Sequence, residues 1–200
     1  TLIITLGGLL VGLLLGVVTG LANTSRSRFL RGIAILYIEA IRGTPLIVQV
    51  MFLYFGLPLA LGMRIPPDVA GVIAIGVNSG AYIAEIVRGA IQSIDKGQTE
   101  AGRALGLSKS QTMIYIVIPQ AIKNVLPPIG NEFIVLIKET AIVGYVSMTD
   151  LTRAANQVVS ITYQAFMPLI GAAVIYFVII KILTILLAKL ERRLRQGDNR

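Results

Sequence analysis

Asn78, Tyr82 and Glu85 recur at i, i+4 and i+7 inside an apolar run, so a single helix face there carries an amide, a phenol and a carboxylate. Ser79 sits beside Asn78, and Arg88 lies three residues beyond Glu85. Uncharged donors and acceptors such as Asn78 and Ser79 suit the carboxylate and ammonium of a zwitterion. Equally, the stripe suits an interhelical hydrogen-bond network, with Gly76 and Gly80 letting a neighbour approach closely. A second group is Glu39 and Arg42, spaced to pair along one helix face, followed by Pro45, which removes a donor and frees the carbonyl of Ile41. The third is Asn131 and Glu132, which follow Pro127-Pro128-Ile129-Gly130, read as a helix-breaking run. Glu132 has no local cation, which makes it suited to a substrate ammonium or guanidinium, unless Lys123 or Lys138 from a neighbouring helix satisfies it. Glu39, Asn78, Ser79, Tyr82, Glu85 and Glu132 are therefore the candidate ligand-contacting residues.

What surrounds these groups explains their cost. Of the 200 residues, 55% are hydrophobic and only 14% charged, with a mean hydropathy of +0.80. That is more apolar surface than a soluble domain of this length buries, so the bilayer is the solvent and every polar group at depth must be paired or face a wet cavity. Histidine, cysteine and tryptophan are absent, which excludes disulfides, thiol nucleophiles, histidine bases and histidine or thiolate metal sites. The net charge of +8 does not indicate nucleic acid, because the basic residues lie in short loops and the C-terminal tail with no interleaved aromatic stripe.

Five spans can be drawn: roughly Leu2 to Leu21, Phe29 to Leu57, Val69 to Ile91, Gln120 to Ile137 with an irregular continuation, and Phe166 to Leu190. The opening apolar run lacks a basic start and a cleavage site and is read as a retained span. Arg26, Arg28 and Arg31 follow the first span, Arg88, Lys96, Arg103, Lys109 and Lys123 surround Glu100, and Lys189, Arg192, Arg193, Arg195 and Arg200 follow the fifth. The opposite loops hold little beyond Arg64 and Arg153. The positive-inside rule then places the N-terminus outside and both the C-terminus and the Glu100 loop in the cytoplasm. With no repeat and no linker, residues 1–200 read as a single domain. Lys181 reads as snorkelling toward the cytoplasmic face. The stretch from Gly144 to Tyr163, with Asp150, Arg153 and Asn156, suits a short outer helix.

From Lys96 the polar loop reads as a short amphipathic helix with Ala101, Ala104 and Leu105 on a small apolar face, closed by Gly106 in a left-handed conformation. Ser108 and Gln111 have the capping-box form and start a second helix that returns toward the membrane at Pro119. The run Glu100-Ala101-Gly102-Arg103-Ala104-Leu105-Gly106, with Ile116-Val117-Ile118-Pro119 after it, resembles the signature of permease subunits of bacterial ABC importers, Gly102 and Ile118 being conservative departures. The segments 39–49 and 78–89 resemble the polar amino acid permeases among them, of the arginine, histidine, glutamine, glutamate and opine type, and the resemblance covers essentially the whole chain.

The resemblance implies an all-α membrane protein of the type I ABC importer permease fold, with five transmembrane helices and a cytoplasmic coupling loop at 96–119. It implies that this loop sits in a groove of a separate ATPase subunit, present in two copies, and that a second permease subunit completes the transporter, as a homodimer or close heterodimer. It also implies an extracytoplasmic amino-acid-binding protein, docking near the Gly144 to Tyr163 stretch, and the cytoplasmic membrane of a bacterium. No Gly-x4-Gly-Lys-Ser/Thr loop occurs, so ATP and magnesium belong to the partner, and this chain is a transport subunit, not an enzyme. The function implied is import of polar amino acids, with the intramembrane acids favouring basic ones. The competing classes are an ion-coupled carrier or channel, which needs no docking loop, and an intramembrane protease around Ser79-Gly80, for which no histidine base exists.

Overall fold

The computed structural model describes residues 1–146 and 148–196, with side chains of the last helix described through Arg192. Arg200 of the C-terminal basic group, and the side chains of Arg193 and Arg195, lie outside the described residues. Among those described there is no strand. Helix α1 (Leu2–Asn23) and helix α5 (Pro67–Gln92) are the centre of the bundle. Their 22 and 26 residues correspond to about 33 and 39 Å, enough to cross a bilayer.

These two helices run parallel and nearly in contact through their backbones. Gly8, Gly12, Gly16 and Gly20 form an i, i+4 stripe on α1, buried against Ile75, Ser79, Ile83 and Val87 of α5. Small residues at this spacing let helix axes approach where lipid gives no hydrophobic driving force between helices. A side chain at Gly16 would stand 2.5 Å from Ile83 Cβ and 2.9 Å from the Gly80 carbonyl oxygen. On the opposite face of α1, Leu10, Leu14, Val18 and Leu21 are exposed, as expected for a lipid-facing stripe.

The second expected span is broken. Helix α2 (Arg28–Arg42) ends at Gly43, and a second helical piece, α3 (Leu46–Met51) continuing through a π turn into α4 (Leu57–Leu61), leaves it at 101°. Pro45 supplies no N–H and biases Thr44 away from the helical region, so the helix stops where the sequence had been drawn as continuous.

The Pro127-Pro128 run, by contrast, does not break its helix. Helix α8 (Ile118–Glu139) passes straight through it, with both prolines interior. In a bilayer an interrupted backbone has no water to satisfy it, so the helical path is kept and neighbours absorb the defect. Here α10 (Phe166–Gln196) lies alongside, with Leu187 over Gly130.

Prolines leave a different trace elsewhere. The π turns at Phe52–Gly56 and Met113–Val117 immediately precede Pro58 and Pro119. A proline ring clashes with the carbonyl four residues back, here Tyr54 and Tyr115, and widening that turn removes the clash without ending the helix.

Helix α6 (Lys96–Ala104) and the short α7 (Lys109–Thr112) connect α5 to α8, which runs antiparallel to α5, with Asn124 donating to Ser93 at 3.0 Å. A 3-10 segment, Thr140–Val146, and helix α9 (Leu151–Thr162) then lead to α10, antiparallel to α8. The short helix expected between Gly144 and Tyr163 is thus α9. Asp150 caps it by accepting from the Thr152 and Arg153 amides, and also accepts from the Tyr176 hydroxyl at 3.1 Å.

Helices α1, α5 and α10 all run the same way, so Arg26, Arg28, Arg31, Lys96, Arg103, Lys109 and Lys189 gather at one end of the bundle. Among the described residues three helices are long and apolar enough to cross a membrane, Leu2–Asn23, Pro67–Gln92 and Phe166–Arg192, or four if the bent pair Arg28–Arg42 and Leu46–Leu61 is one span. Helix α8 has the length but carries Lys123, Glu132, Lys138 and Glu139.

Candidate translocation site and coupling element

The three polar groups of the sequence resolve into two polar systems. The first lies in the interior and ties the helix break to α5 and α8. Gln49 of α3 folds back so that its amide donates to the Ile41 carbonyl at 2.8 Å and to the Thr44 carbonyl and hydroxyl oxygens at 3.1 and 2.9 Å. The carbonyl freed by Pro45 is therefore satisfied by a side chain. The Gln49 carbonyl oxygen in turn accepts from Asn78 at 3.0 Å. One position along, the Ser79 hydroxyl donates to Glu132 Oε1 at 2.9 Å across to α8. Asn78, Ser79 and Glu132 are 4%, 0% and 8% exposed, so all three are interior. The described partner of Glu132 is thus the Ser79 hydroxyl. Gly12 makes this contact accessible, because a side chain there would stand 3.0 Å from Ser79 Oγ. Tyr37 of α2 completes the system by donating to the Val77 carbonyl at 2.6 Å as it passes over Gly80.

Gln49 and Tyr37 were not singled out from sequence. The signal for Gln49 was its place four residues after Pro45, within reach of a carbonyl that had lost its donor. Replacing Gln49 by leucine leaves the Asn78 amide without its partner and the Ile41 carbonyl with only the longer bonds from the Thr44 amide and hydroxyl, at 3.4 and 3.3 Å. An unpaired group of this kind costs about 1–3 kcal/mol, so thermal unfolding of the detergent-solubilised protein is expected several degrees lower.

The second system is an open cleft of about 440 Å³ between α1, α2 and α5. Glu85 is its hub. It accepts two bonds from Arg88 at 2.9 and 2.8 Å and one from Asn23 at 3.4 Å, and stands 3.6 Å from Arg42. Arg42 also lies over the Tyr82 ring at 5.3 Å, a cation–π contact. The Glu39–Arg42 pair expected from their spacing does not form, because Arg42 turns toward the carboxylate on the neighbouring helix. Glu39 lines the cleft, exposed and in no ion pair among the described residues. Of the six candidate residues, Glu39 and Glu85 therefore share the cleft with Tyr82 on its flank, whereas Asn78, Ser79 and Glu132 belong to the interior network.

The polar loop folds as its spacing predicts. Asp95 caps α6 by accepting from the Gly97 amide at 2.7 Å. The helix closes with Leu107 N–H bonded to the Gly102 carbonyl and Gly106 N–H to Arg103, with Gly106 at φ +85°, the paired bonds of a glycine-terminated helix. Arg103 adds a bond to the Leu107 carbonyl at 2.8 Å. The capping box is present, Gln111 N–H donating to the Ser108 hydroxyl and the Ser108 N–H to the Gln111 side chain.

Gly102 is buried against Thr112 and Ile116, and a side chain there would stand 2.7 Å from Ile116 Cδ1. This contact explains the glycine where the signature has alanine. It also leaves Glu100, Ala101, Ala104 and Leu105 pointing outward, with Leu105 83% exposed.

Residues 8–196 match the model of the family described as the binding-protein-dependent transport system inner membrane component. The chain belongs to that family. Among curated relatives of this inner membrane component, the glutamine transport system permease protein GlnP of Escherichia coli K12 is 44% identical over 196 residues, covering 98% of this chain and 90% of the relative. The arginine transport system permease protein ArtQ of Bacillus subtilis is 44% identical over 198 residues, covering 99% and 90%. Among solved structures, an amino acid ABC transporter with histidines is 47% identical with a TM-score of 0.91, covering 95% of this chain and 88% of that one. The inward-facing methionine ABC transporter MetNI, at 20% identity and a TM-score of 0.81 over 96% and 92%, shows the fold alone. The architecture is that of a type I ABC importer permease, a multi-pass inner membrane component, and its second segment is bent rather than straight.

Proposed function

We propose that this chain is the membrane subunit of an ATP-driven importer of polar amino acids, with basic ones preferred, and that it works by alternating access. The observation that carries the reading is the layout of α6. Its outward face presents Glu100, Ala101, Ala104, Leu105 and Arg103, while Gly102 seats it on the helix that continues through Pro119 to Glu132. Movement of α6, Gly106 included, is thereby transmitted along a single helical rod to the contact between Glu132 and Ser79. Residues 96–119 are the coupling element within a single domain of residues 1–200. A separate ATPase, in two copies, holds ATP and magnesium and receives this face. The end of the bundle where the arginines and lysines gather is cytoplasmic, which places the N-terminus outside, and α9 with its flanks meets an extracytoplasmic binding protein on the other side. A second copy of this chain completes the pathway.

In this reading the cleft is the part of the pathway that meets substrate. Glu39 takes the substrate's cationic group, and Tyr82 and Glu85 with their arginines form the wall. Asn78, Ser79 and Glu132 hold the broken helix that shapes it. The relatives' names, one for glutamine and one for arginine, support an amino acid as cargo. Charge at Glu39 favours arginine, lysine or histidine.

The test is uptake of radiolabelled arginine and glutamine into proteoliposomes containing this chain, its genomically adjacent ATPase and the cognate binding protein. ATP-dependent uptake is expected, competed by lysine or histidine. Uptake driven by an ion gradient without ATPase would overturn the reading in favour of a secondary carrier. Glu39→Gln is expected to raise the KM for arginine about tenfold, the scale of one charge-assisted hydrogen bond, with little change for glutamine. Equal effects on both would remove Glu39 from the substrate's side chain.

A further inference from the structure

We propose that a cleft at the basic end of the bundle binds the phosphate of an anionic phospholipid, clamping the end of α1 to the start of the rod formed by α7 and α8. The cleft holds about 530 Å³ and lies where α1 and α5 finish and α7 begins. Arg26, Lys109, Ser25 and Ser110 all line it, and no carboxylate is among its described lining residues. Neither cation has an ion pair or hydrogen bond among the described contacts, in contrast to Arg42 and Arg88, which are both engaged by Glu85. The Ser110 hydroxyl is likewise unengaged. Two cations and two hydroxyls around an opening of this size form a phosphate-sized donor set.

The other wall of the cleft favours a lipid over a free phosphate. Ile91, Met113 and Ile114 form an apolar floor, with Ile114 exposed. From Leu21 the apolar surface continues along α1 through Val18, Leu14 and Leu10, all exposed and spaced three or four residues apart on one face. A charged mouth at the end of two membrane-length helices, opening onto an apolar track along one of them, matches a headgroup followed by its acyl chains. The phosphate would accept from both Arg26 and Lys109 while the chains cover the Leu10 to Leu21 stripe. Nothing in this depends on the identity of the transported substrate, so its failure and that of the transport reading are separable.

The test is native mass spectrometry of the permease with its ATPase, titrated in detergent with dioleoyl-phosphatidylglycerol or dioleoyl-phosphatidylcholine. Preferential retention of phosphatidylglycerol is expected. The double variant Arg26→Gln, Lys109→Gln should weaken it roughly thirtyfold, the loss of two surface cation contacts, while Arg64→Gln at the opposite end leaves it unchanged. Ile114→Asp should weaken it without removing either cation. The proposal is overturned if the double variant binds phosphatidylglycerol as the unmodified protein does. It is overturned equally if inorganic phosphate displaces the lipid at matched concentration, making this a free-phosphate site, or if the lipid binds only once the ATPase is removed, making the cleft part of that interface.

Discussion

Gly16→Val is expected to abolish recovery of a folded permease. The substituted Cβ would meet Ile83 Cβ and Cγ2 at 2.5 Å and the Gly80 carbonyl oxygen at 2.9 Å, and a backbone oxygen in a packed helix cannot rotate aside. Overpacking of a rigid contact costs about 1–3 kcal/mol where side chains can rearrange, and more is expected here because whole helices must separate. Separation at this point also lifts Gly12 from Ser79, since Gly12 and Gly16 hold adjacent turns of the same interface. Size-exclusion chromatography of the solubilised protein reads the result, with a loss of the monodisperse peak. Gly32→Ala is the matched control, because nothing lies within 4 Å of its added Cβ and alanine favours the helix by about 1 kcal/mol. A Gly16→Val protein that elutes and melts normally would show that the α1–α5 approach is not what holds the bundle.

Leu105→Asp is expected to separate ATP hydrolysis from transport without unfolding the chain. Leu105 is 83% exposed at the end of α6, so the monomer loses little by the change. In the proposed complex the same residue enters a groove on the ATPase, where an unpaired carboxylate replaces a buried apolar side chain. Loss of the contact and burial of a charge together cost several kcal/mol, enough to lower uptake at least about a hundredfold. Proteoliposome uptake, ATP hydrolysis and co-purification of the ATPase should be measured together. Glu100→Lys is expected to act in the same direction with a smaller effect, since it sits at the rim. Normal uptake by Leu105→Asp would remove this face from the ATPase interface. Gly102→Ala gives the internal comparison: the added Cβ would stand 2.7 Å from Ile116 Cδ1 and 2.9 Å from Cγ2 of the fully buried Thr112, so α6 must shift on its seat and a loss smaller than that of Leu105→Asp is expected.

The two expectations differ in how far they could be read without coordinates. The fold of residues 96–119 was legible almost entirely, because its signals are local. A cap at Ser108 with its partner at Gln111, a glycine at the position requiring positive φ, and apolar residues spaced for one helical face each act within a few residues. The charge segregation was legible for a related reason: basic residues are counted by loop, and helix directions then bring those loops to one end.

The break at Pro45 was half-legible. Its freed carbonyl was foreseen, but a proline alone does not say whether the helix stops, bends or passes through. At Pro45 the chain turns by 101°, at Pro127 and Pro128 it continues, and at Pro58 and Pro119 it widens into a π turn. The neighbours decide, through which carbonyls they can satisfy. Gln49 reaches back to Ile41 at the first of these sites, and that turn lets Asn78 find its partner there.

Sequence by itself determined that this chain lives in a bilayer, which loops are polar, how α6 starts and ends, and the family it belongs to, because hydropathy, capping and signature spacing depend on near neighbours. Tertiary structure alone decided how the charges of the cleft pair. Arg42 had a carboxylate three residues away in Glu39 and a second in Glu85 on another helix, and it took the second because α2 packs against α5. Ion pairs are set by which helices touch, and contacts between helices distant in sequence leave no local trace in the spacing of the residues.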